Sequence, residues 1–296
     1  MIFEPVTYKL ATDGPPAMSW SQYMSEYGTR YKQLLSSDPP EDSLHKFFRD
    51  NPSFLIGVGS PSFGMATPPF RFALIDKPRL QGITCKEPDF MWVLRDSATW
   101  YLTLVEIEKP SKRIFSAALK SKDLPKQEFN QARNQLHQWK TWFQVPENTL
   151  LFNRFYRTQE MHQMQARALR FLLVFGRRQE FEDNESLQRH RSSLLSQADE
   201  HLSSFDRLAP NNSFSDMITA HVDPDGKFRA IAVPPTFTIG PMNADISAHI
   251  ISLDEAINQS PSISSERKQF LCERLPYWKE WALKDGTRRC CPGHAE

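Results

Sequence analysis

Hydrophobic and polar residues recur with two different periods along the chain, and these periods predict where helices and strands lie. Apolar residues spaced by three and four positions predict helices that begin near Trp20, Glu41 and Gln127. The dipeptide Asn51-Pro52 ends the second helix, because a proline disfavours helical backbone at the residue before it. Continuous apolar runs of strand length predict strands, which lie at residues 70–75, 90–94, 100–107 and 171–175.

The order of these elements predicts the fold class. From Glu41 onward the chain reads helix, strand, strand, strand, helix, strand, which predicts an α/β protein with a mixed sheet flanked by helices. Further along, the pattern predicts a helix from Glu185 to Phe205 and a hairpin turn at residues 222–228 ahead of another strand. A helical region from Ile250 to Leu283, with a break near Pro276, follows.

Acidic residues stand where two neighbouring apolar runs would meet in a hairpin. If Arg95 pairs with Trp100, the antiparallel ladder sets Asp89 directly opposite Glu106. Glu108 shares a face with Glu106, because side chains alternate along a strand. Three carboxylates would then converge at one end of an apolar hairpin, which is a site suited to a hard divalent cation.

Two alternatives to this cation site are open. A register shifted by one residue would set Asp89 opposite Val105 and send its carboxylate to the other face of the sheet. The acids could also simply end the strands at the solvent-exposed edge. Their convergence at one predicted corner favours the cation site over both alternatives.

Composition excludes several classes of protein. With 40% hydrophobic and 24% charged residues and a net charge of +1, the chain has the composition of an ordinary soluble protein and is no polycation. No run approaches the ~20 apolar residues of a membrane span, and the first residues lack the features of a signal peptide. The four cysteines have no framework spacing. We therefore expect a cytoplasmic protein without a membrane partner.

One segment after the acidic residues is rich in basic side chains. Its members are Lys109, Lys112, Arg113, Lys120, Lys122 and Lys126. A basic patch beside carboxylates suits a polyanionic substrate cut by a metal, although such runs are also typical of a solvated surface. The sequence contains neither a glycine-rich phosphate loop nor a Gly-x-Ser-x-Gly elbow, so it lacks the motifs of nucleotide-binding enzymes and of α/β-hydrolases.

The order and spacing of the acidic motifs resemble a known superfamily. Pro88-Asp89 followed by Glu106-Ile107-Glu108-Lys109, within an αβββαβ order, resembles the PD-(D/E)XK nucleases. Further motifs are similar to the Shedu antiphage nuclease family, DUF4263, over roughly residues 41 to 240. They are Glu41-x-x-Leu44-His45-x-Phe47-Phe48-x-x-Asn51-Pro52, Gly176-Arg177 and Ser204-Phe205-Asp206-Arg207-Leu208.

This resemblance implies a phosphodiesterase that depends on Mg²⁺ or Mn²⁺, acts on DNA (with RNA not excluded) in antiphage defence, and forms a homo-oligomer. Asp89 and Glu106 take the positions of the metal-binding acids. Glu108 stands where the family usually has a lysine, and it would complete the metal shell or orient the attacking water. Lys109 is one residue late, so it would reach the site through a bulge before Pro110. The alternative is a catalytically inactive module that binds nucleic acid or assembles on the same fold.

The resemblance also adds outer residues and boundaries. Glu41 is a further candidate metal ligand, or an acid placed to favour the helix dipole. His45 on the same helix, Gln135 on the second helix, Lys112 and Arg113 are candidate contacts to substrate or to the ligands. The predicted organisation is an N-terminal arm (1–40), a PD-(D/E)XK-like domain (41–245), and a C-terminal helical extension with a tail (246–296).

Overall fold

The computed structural model describes residues 8–60, 64–82, 85–116, 124–161, 165–182, 184–194, 198–284 and 295–296. Its helices are α1 (Trp20–Ser36), α2 (Glu41–Asp50), α3 (Gln127–Gln144), α4 (Pro146–Phe155), α5 (Glu185–Leu194), α6 (Ile246–His249), α7 (Leu253–Gln259) and α8 (Ser265–Leu283). Its strands are β1 (Gly64–Met65), β2 (Ala73–Asp76), β3 (Phe90–Arg95), β4 (Thr99–Ile107), β5 (Ala166–Val174), β6 (Glu200–Ser203), β7 (Ile218–Val222), β8 (Phe228–Ala232) and β9 (Ile250–Ile251). The predicted Lys120 and Lys122 of the basic segment, and residues 285–294 of the predicted tail, lie outside this description.

The described strands form one mixed sheet of nine strands. Their order is β6-β5-β4-β3-β2-β7-β8-β9, with β1 paired to β3 at the side of this path. Strands β3 and β4 form an antiparallel hairpin, whereas β4, β5 and β6 run parallel. A parallel neighbour requires a long crossover, and α3 with α4 supplies it between β4 and β5. The α/β class is therefore confirmed.

Both faces of the central strands are buried, because side chains alternate along each strand. Leu104 on β4 packs in one hydrophobic cluster with Leu136 and Trp139 of α3. The neighbouring Val105 points the other way and packs in a second cluster, which includes Phe48 of α2 and Tyr31 of α1. Helices therefore cover the central strands on both sides, and the ends of these strands are available for polar chemistry.

Helix α1, which belongs to the predicted N-terminal arm, packs tightly on this second face. Its Tyr23, Tyr27 and Tyr31 are each at most 5% exposed. The Tyr31 hydroxyl donates a hydrogen bond of 2.8 Å to the carbonyl oxygen of Phe205, which follows β6. A buried hydroxyl must find such a partner, so this bond fixes α1 to the end of the sheet.

Several predicted boundaries are wrong. The predicted strand at 70–75 begins as a 3-10 turn over Phe70–Phe72 and becomes extended only from Ala73. The predicted helix from Glu185 to Phe205 ends at Leu194 within the described residues, and its last part forms strand β6. There, Lys140 and Arg133 neutralise Glu200, which lets this short polar strand lie at the edge of a buried sheet.

The predicted break at Pro276 is also absent, because α8 continues through this residue. A proline inside a helix costs about 3 kcal/mol, since it removes one hydrogen bond and crowds the preceding turn. The helix buries Leu271, Leu275, Trp278 and Trp281, and burial of four large apolar side chains offsets that cost. No helix in the described part of the chain is long and apolar enough to cross a bilayer.

Candidate metal centre

The hairpin of β3 and β4 has the register that brings the predicted acids together. Arg95 pairs with Trp100, and the ladder continues to Phe90 and Val105, so Asp89 and Glu106 come next in line. The Asp89 backbone N–H donates to the Val105 carbonyl at 2.9 Å. Its carboxylate accepts the Ile107 N–H at 2.7 Å. The alternative register, with Asp89 paired to Val105, is wrong.

Burial and neighbouring acids make ionisation of Asp89 unfavourable. Burial raises the pKa of Asp89 to about 7, against the opposing effect of the Ile107 N–H bond. The charges of Glu41 and Glu108 raise this pKa further, and that of Lys77 lowers it. A partly buried carboxylate whose pKa rises in this way lacks a sufficient positive partner.

Glu106 shows the same behaviour more strongly. Burial raises the pKa of Glu106 to about 9, and the charges of Asp89, Glu108 and Glu41 add to this rise. A hydrogen bond from the Gln135 side chain of α3 acts in the opposite direction. The charges of Glu41 and Glu108 act on both Asp89 and Glu106, so these four carboxylates lie near one another, and we call them the carboxylate cluster.

Helix α2 supplies the fourth member of this cluster. Glu41 stands in its first turn, after Pro40, where an acid also favours the helix dipole. Burial raises the pKa of Glu41, and the charge of Glu108 adds to this effect. Lys112 and Lys109 lower the same pKa. The helix therefore directs a carboxylate towards the end of β4.

The chemistry of the carboxylate cluster fits a hard divalent cation. Carboxylate oxygens are the ligands that Mg²⁺ and Mn²⁺ prefer, and a bound cation would relieve the repulsion described above. As the side chains stand, no group of three or more His, Cys, Asp or Glu residues in the described segments is arranged to hold a metal ion. Glu108 is instead paired with Lys112. Coordination by the cluster would therefore require side-chain rotation, with the cation replacing Lys112 on Glu108.

The lysine that contacts the cluster is Lys112. Its Nζ forms an ion pair with the Glu108 carboxylate. The backbone turns at Pro110, where the Lys112 N–H donates to the Lys109 carbonyl at 3.2 Å, and this turn folds Lys112 back over the strand end. Lys109 itself is exposed. Beside this turn the chain requires glycine at Gly176. Its φ of +66° is unfavourable for residues with a side chain, and a Cβ atom there would lie only 2.8 Å from the Lys112 carbonyl oxygen.

The basic segment after Lys112 is held by an acid that the sequence did not single out. The Glu180 carboxylate accepts the backbone N–H groups of Ile114 and Phe115 at 2.9 and 2.8 Å. Arg113, which is half exposed, lies 3.8 Å from the same carboxylate. No local motif marks Glu180, because its role arises only when the chain after β5 returns to the end of β4.

His45 lies beneath the hairpin, on the α2 face of the sheet. Its ring stacks on Phe90 with 4.5 Å between centroids, and its Nε2 lies 3.3 Å from Oδ1 of Asp76. Burial lowers the pKa of His45 to about 4 and raises that of Asp76 to about 6. His45 is therefore neutral at pH 7, and a hydrogen bond to the Asp89 backbone places it directly under the carboxylate cluster.

A second lysine near the cluster was missed. Lys77 directly follows β2, and its N–H donates to the Asp89 carbonyl at 2.9 Å. In the sequence, only the position of Lys77 shortly after a predicted strand could have pointed to it. Its approach to Asp89 depends on the pairing of β2 with β3.

The motifs that carried the resemblance brace the same end of the sheet. Arg177, which follows β5, places its guanidinium 2.7 Å from the Asp206 carboxylate beyond β6. Asp206 also accepts the backbone N–H of Arg178 at 2.6 Å, and Arg177 donates to the Leu35 carbonyl at 3.2 Å. These bonds tie the ends of β5, β6 and α1 together beside the carboxylate cluster.

Comparison with known proteins places the chain in a family. A family model described as "Shedu protein SduA, C-terminal" matches residues 38–209, which is more than half of the chain and includes all the candidate site residues. No curated protein matches it significantly. The chain therefore belongs to the family of the Shedu protein SduA C-terminal region.

Proposed function

We propose that this protein is a metal-dependent nuclease of the PD-(D/E)XK type, which hydrolyses DNA in antiphage defence. The carboxylate cluster carries this proposal, since its acids are held together at a strand end although burial and repulsion oppose their charge. Membership of the Shedu family supports it. The chain order of α2, β2, β3, β4, α3 and β5 also agrees with the αβββαβ core of these nucleases.

In this proposal the protein residues position the reactants. Asp89 and Glu106 would hold Mg²⁺ or Mn²⁺, which supplies charge neutralisation at the phosphate and a more acidic bound water. Glu41 and Glu108 would complete the ligand set or orient the water. Lys112, released from Glu108, would stabilise negative charge on the reacting phosphate.

An inactive module is the second candidate, and one observation favours it. Glu108 stands at the usual lysine position and forms an ion pair with Lys112, so in this structure its carboxylate is engaged by that lysine. In that case the fold would bind nucleic acid or assemble without cutting. The cluster opposes this alternative, because an inactive module has no need for several mutually repelling carboxylates.

Incubation of the purified protein with linear duplex, circular duplex, single-stranded DNA and RNA tests the proposal. We expect cleavage of DNA with Mg²⁺ or Mn²⁺ and none with EDTA. Binding without cleavage under every condition would establish the inactive module instead. Cleavage that persists in EDTA would overturn the metal-dependent mechanism.

Lys112 and Lys109 are expected to differ in their effect on cleavage. Lys112→Gln should lower kcat about 100-fold, because a preorganised positive group beside the phosphate is lost. Lys109→Gln, which removes an exposed charge nearby, should change kcat less than about threefold. Steady-state kcat values measured with saturating Mn²⁺ and saturating DNA test both expectations. The reverse order of effects would show that Lys109 is the lysine that acts.

A further inference from the structure

A polar cavity lies beyond the ends of β5 and β6, and its lining includes Ser204 and Arg207 of the motif that follows β6. Its volume is about 370 Å³, and it opens between α5, the turn at Arg178–Glu180 and the segment that follows β6. Three arginines, Arg178, Arg191 and Arg207, contribute to its lining. The other lining residues are Phe181, Glu182, Gln188, Ser192 and Ser204. We call this cavity the arginine pocket.

Arg191 lines the arginine pocket and has unused hydrogen-bonding capacity. Its Nε is buried and has no hydrogen-bond partner in the described structure. One terminal nitrogen reaches the Leu202 carbonyl at 3.5 Å, which is a long bond. The guanidinium lies 5.1 Å from the centre of the Phe181 ring, which holds it in place. A buried donor without a partner is costly, so this arrangement calls for an acceptor in the pocket.

The charges of the arginine pocket are unbalanced. Among the described residues, no carboxylate forms an ion pair with Arg191 or Arg207, since the neighbouring Asp206 is engaged by Arg177. Burial lowers the pKa of Arg191, the charge of Arg207 lowers it further, and the charge of Glu180 acts in the opposite direction. Arg178 and Glu182 are 3.9 Å apart and mostly exposed, so their pairing contributes little. Three guanidinium groups thus line a cavity whose lining contains one carboxylate, that of Glu182, and Arg191 and Arg207 have no ion-pair partner among the described residues.

The arginine pocket lies at the same end and on the same face of the sheet as the carboxylate cluster. Ile107 of β4 is in register with Val174 of β5, and Val174 with Ser203 of β6. The ends of β4 and β6 are therefore two strand spacings apart, roughly 10 Å. Phe181 beside the pocket packs in the same hydrophobic cluster as Leu104, whose side of β4 also carries Glu106.

We propose that the arginine pocket binds a phosphate group of the nucleic-acid strand, a few nucleotides from the bond that is cut. Guanidinium groups bind phosphate oxygens through paired hydrogen bonds, and three of them line this pocket. Successive nucleotides of a duplex advance about 3.4 Å along the axis, so one bound strand that passes the end of β4 extends past the end of β6, two strand spacings away. This inference rests on the proposed function for the identity of the substrate.

Binding of a labelled DNA duplex in EDTA, measured as a function of salt concentration, tests the arginine pocket without any cleavage. Arg207→Gln and Arg191→Gln should each weaken binding about tenfold, because a charge-assisted bond to phosphate is lost. The slope of log K against log salt concentration should fall by about 1. Arg189→Gln on the same helix, where Arg189 is 79% exposed, is the matched control and should leave the slope unchanged. Arg207 is exposed, so its variant is expected to fold even if Arg191→Gln does not.

Parallel measurements distinguish the sources of the phosphate. If the arginine substitutions weaken binding equally for duplexes with and without terminal phosphates, the pocket binds an internal backbone phosphate. If they weaken binding only for duplexes with phosphorylated ends, the pocket binds a strand terminus instead. If inorganic phosphate raises the Tm of the parent but not of Arg191→Gln, while DNA binding is unchanged, the nucleic-acid assignment is overturned. Unchanged slopes in a folded Arg207→Gln variant also overturn it. Because EDTA removes any cleavage, failure of the nuclease proposal would leave this result interpretable.

Discussion

Asp89→Asn and Glu106→Gln are each expected to reduce Mn²⁺-dependent DNA cleavage by at least ~100-fold. Mutation of groups that merely support metal ligands costs about 10- to 100-fold, so removal of a ligand should cost no less. Both substitutions keep the size of the side chain, and the asparagine oxygen can still accept the Ile107 N–H that the Asp89 carboxylate accepts at 2.7 Å. The loss should therefore appear in the rate and in the apparent Mn²⁺ affinity, while the fold is retained.

The matched control for these variants is Glu87→Gln. Glu87 lies two residues before Asp89, and its side chain is 49% exposed, so its removal tests the loss of one negative charge near the hairpin. Cleavage by this variant should stay within about twofold of the parent, because exposed charges contribute little. Normal cleavage by Asp89→Asn or Glu106→Gln would show that the chemistry occurs elsewhere.

Without a divalent cation, the folded protein is expected to become less stable as the pH rises from about 4.5 to about 9. The pKa of Glu106 rises from its usual 4.5 to about 9, and that of Asp89 from 3.8 to about 7. The folded state therefore keeps protons that the unfolded state releases in this range. These retained protons contribute fully to the stability of the folded state when the pH is below the pKa values that Asp89 and Glu106 have in the unfolded state. The contribution is lost as the pH rises through the pKa values of the folded state.

Urea unfolding from pH 5 to pH 9 measures this dependence. Each retained proton contributes at most about 1.4 kcal/mol per pH unit to the slope. Glu106→Gln should flatten the slope, whereas Glu128→Gln, at a 51% exposed position of α3, should not. Saturating Mn²⁺ should restore stability most at high pH, by about 2.7 kcal/mol at a concentration 100-fold above its Kd. A parent slope equal to that of Glu106→Gln would mean that Glu106 is ionised normally.

The sequence identified the hairpin correctly because its evidence was local. Two apolar runs flank a short polar loop, and one register satisfies both the loop and the burial of the strands. The acids at the strand ends then followed from the alternation of side chains. The same reasoning located α2 and α3, whose apolar faces pack on the sheet.

The sequence named Lys112 only among candidate contacts to substrate or to the ligands, and it could not show that Lys112 pairs with Glu108. Lys112 reaches Glu108 because the chain turns at Pro110 and because Gly176, after β5, leaves room for the Lys112 carbonyl. Such contacts join segments that are distant in the chain and share no periodic pattern. For the same reason strand β6 was read as a helix, since a short polar strand is stabilised by partners such as Lys140 on α3.

Diffraction from crystals soaked in Mn²⁺, recorded at the manganese absorption edge, tests the central claim most directly. We predict one anomalous peak in contact with the Asp89 and Glu106 carboxylates, with Lys112 displaced from Glu108. The peak should disappear in Asp89→Asn crystals soaked in the same way. A fully occupied peak elsewhere in the protein, with none between Asp89 and Glu106, would contradict the assignment of the carboxylate cluster as the metal centre.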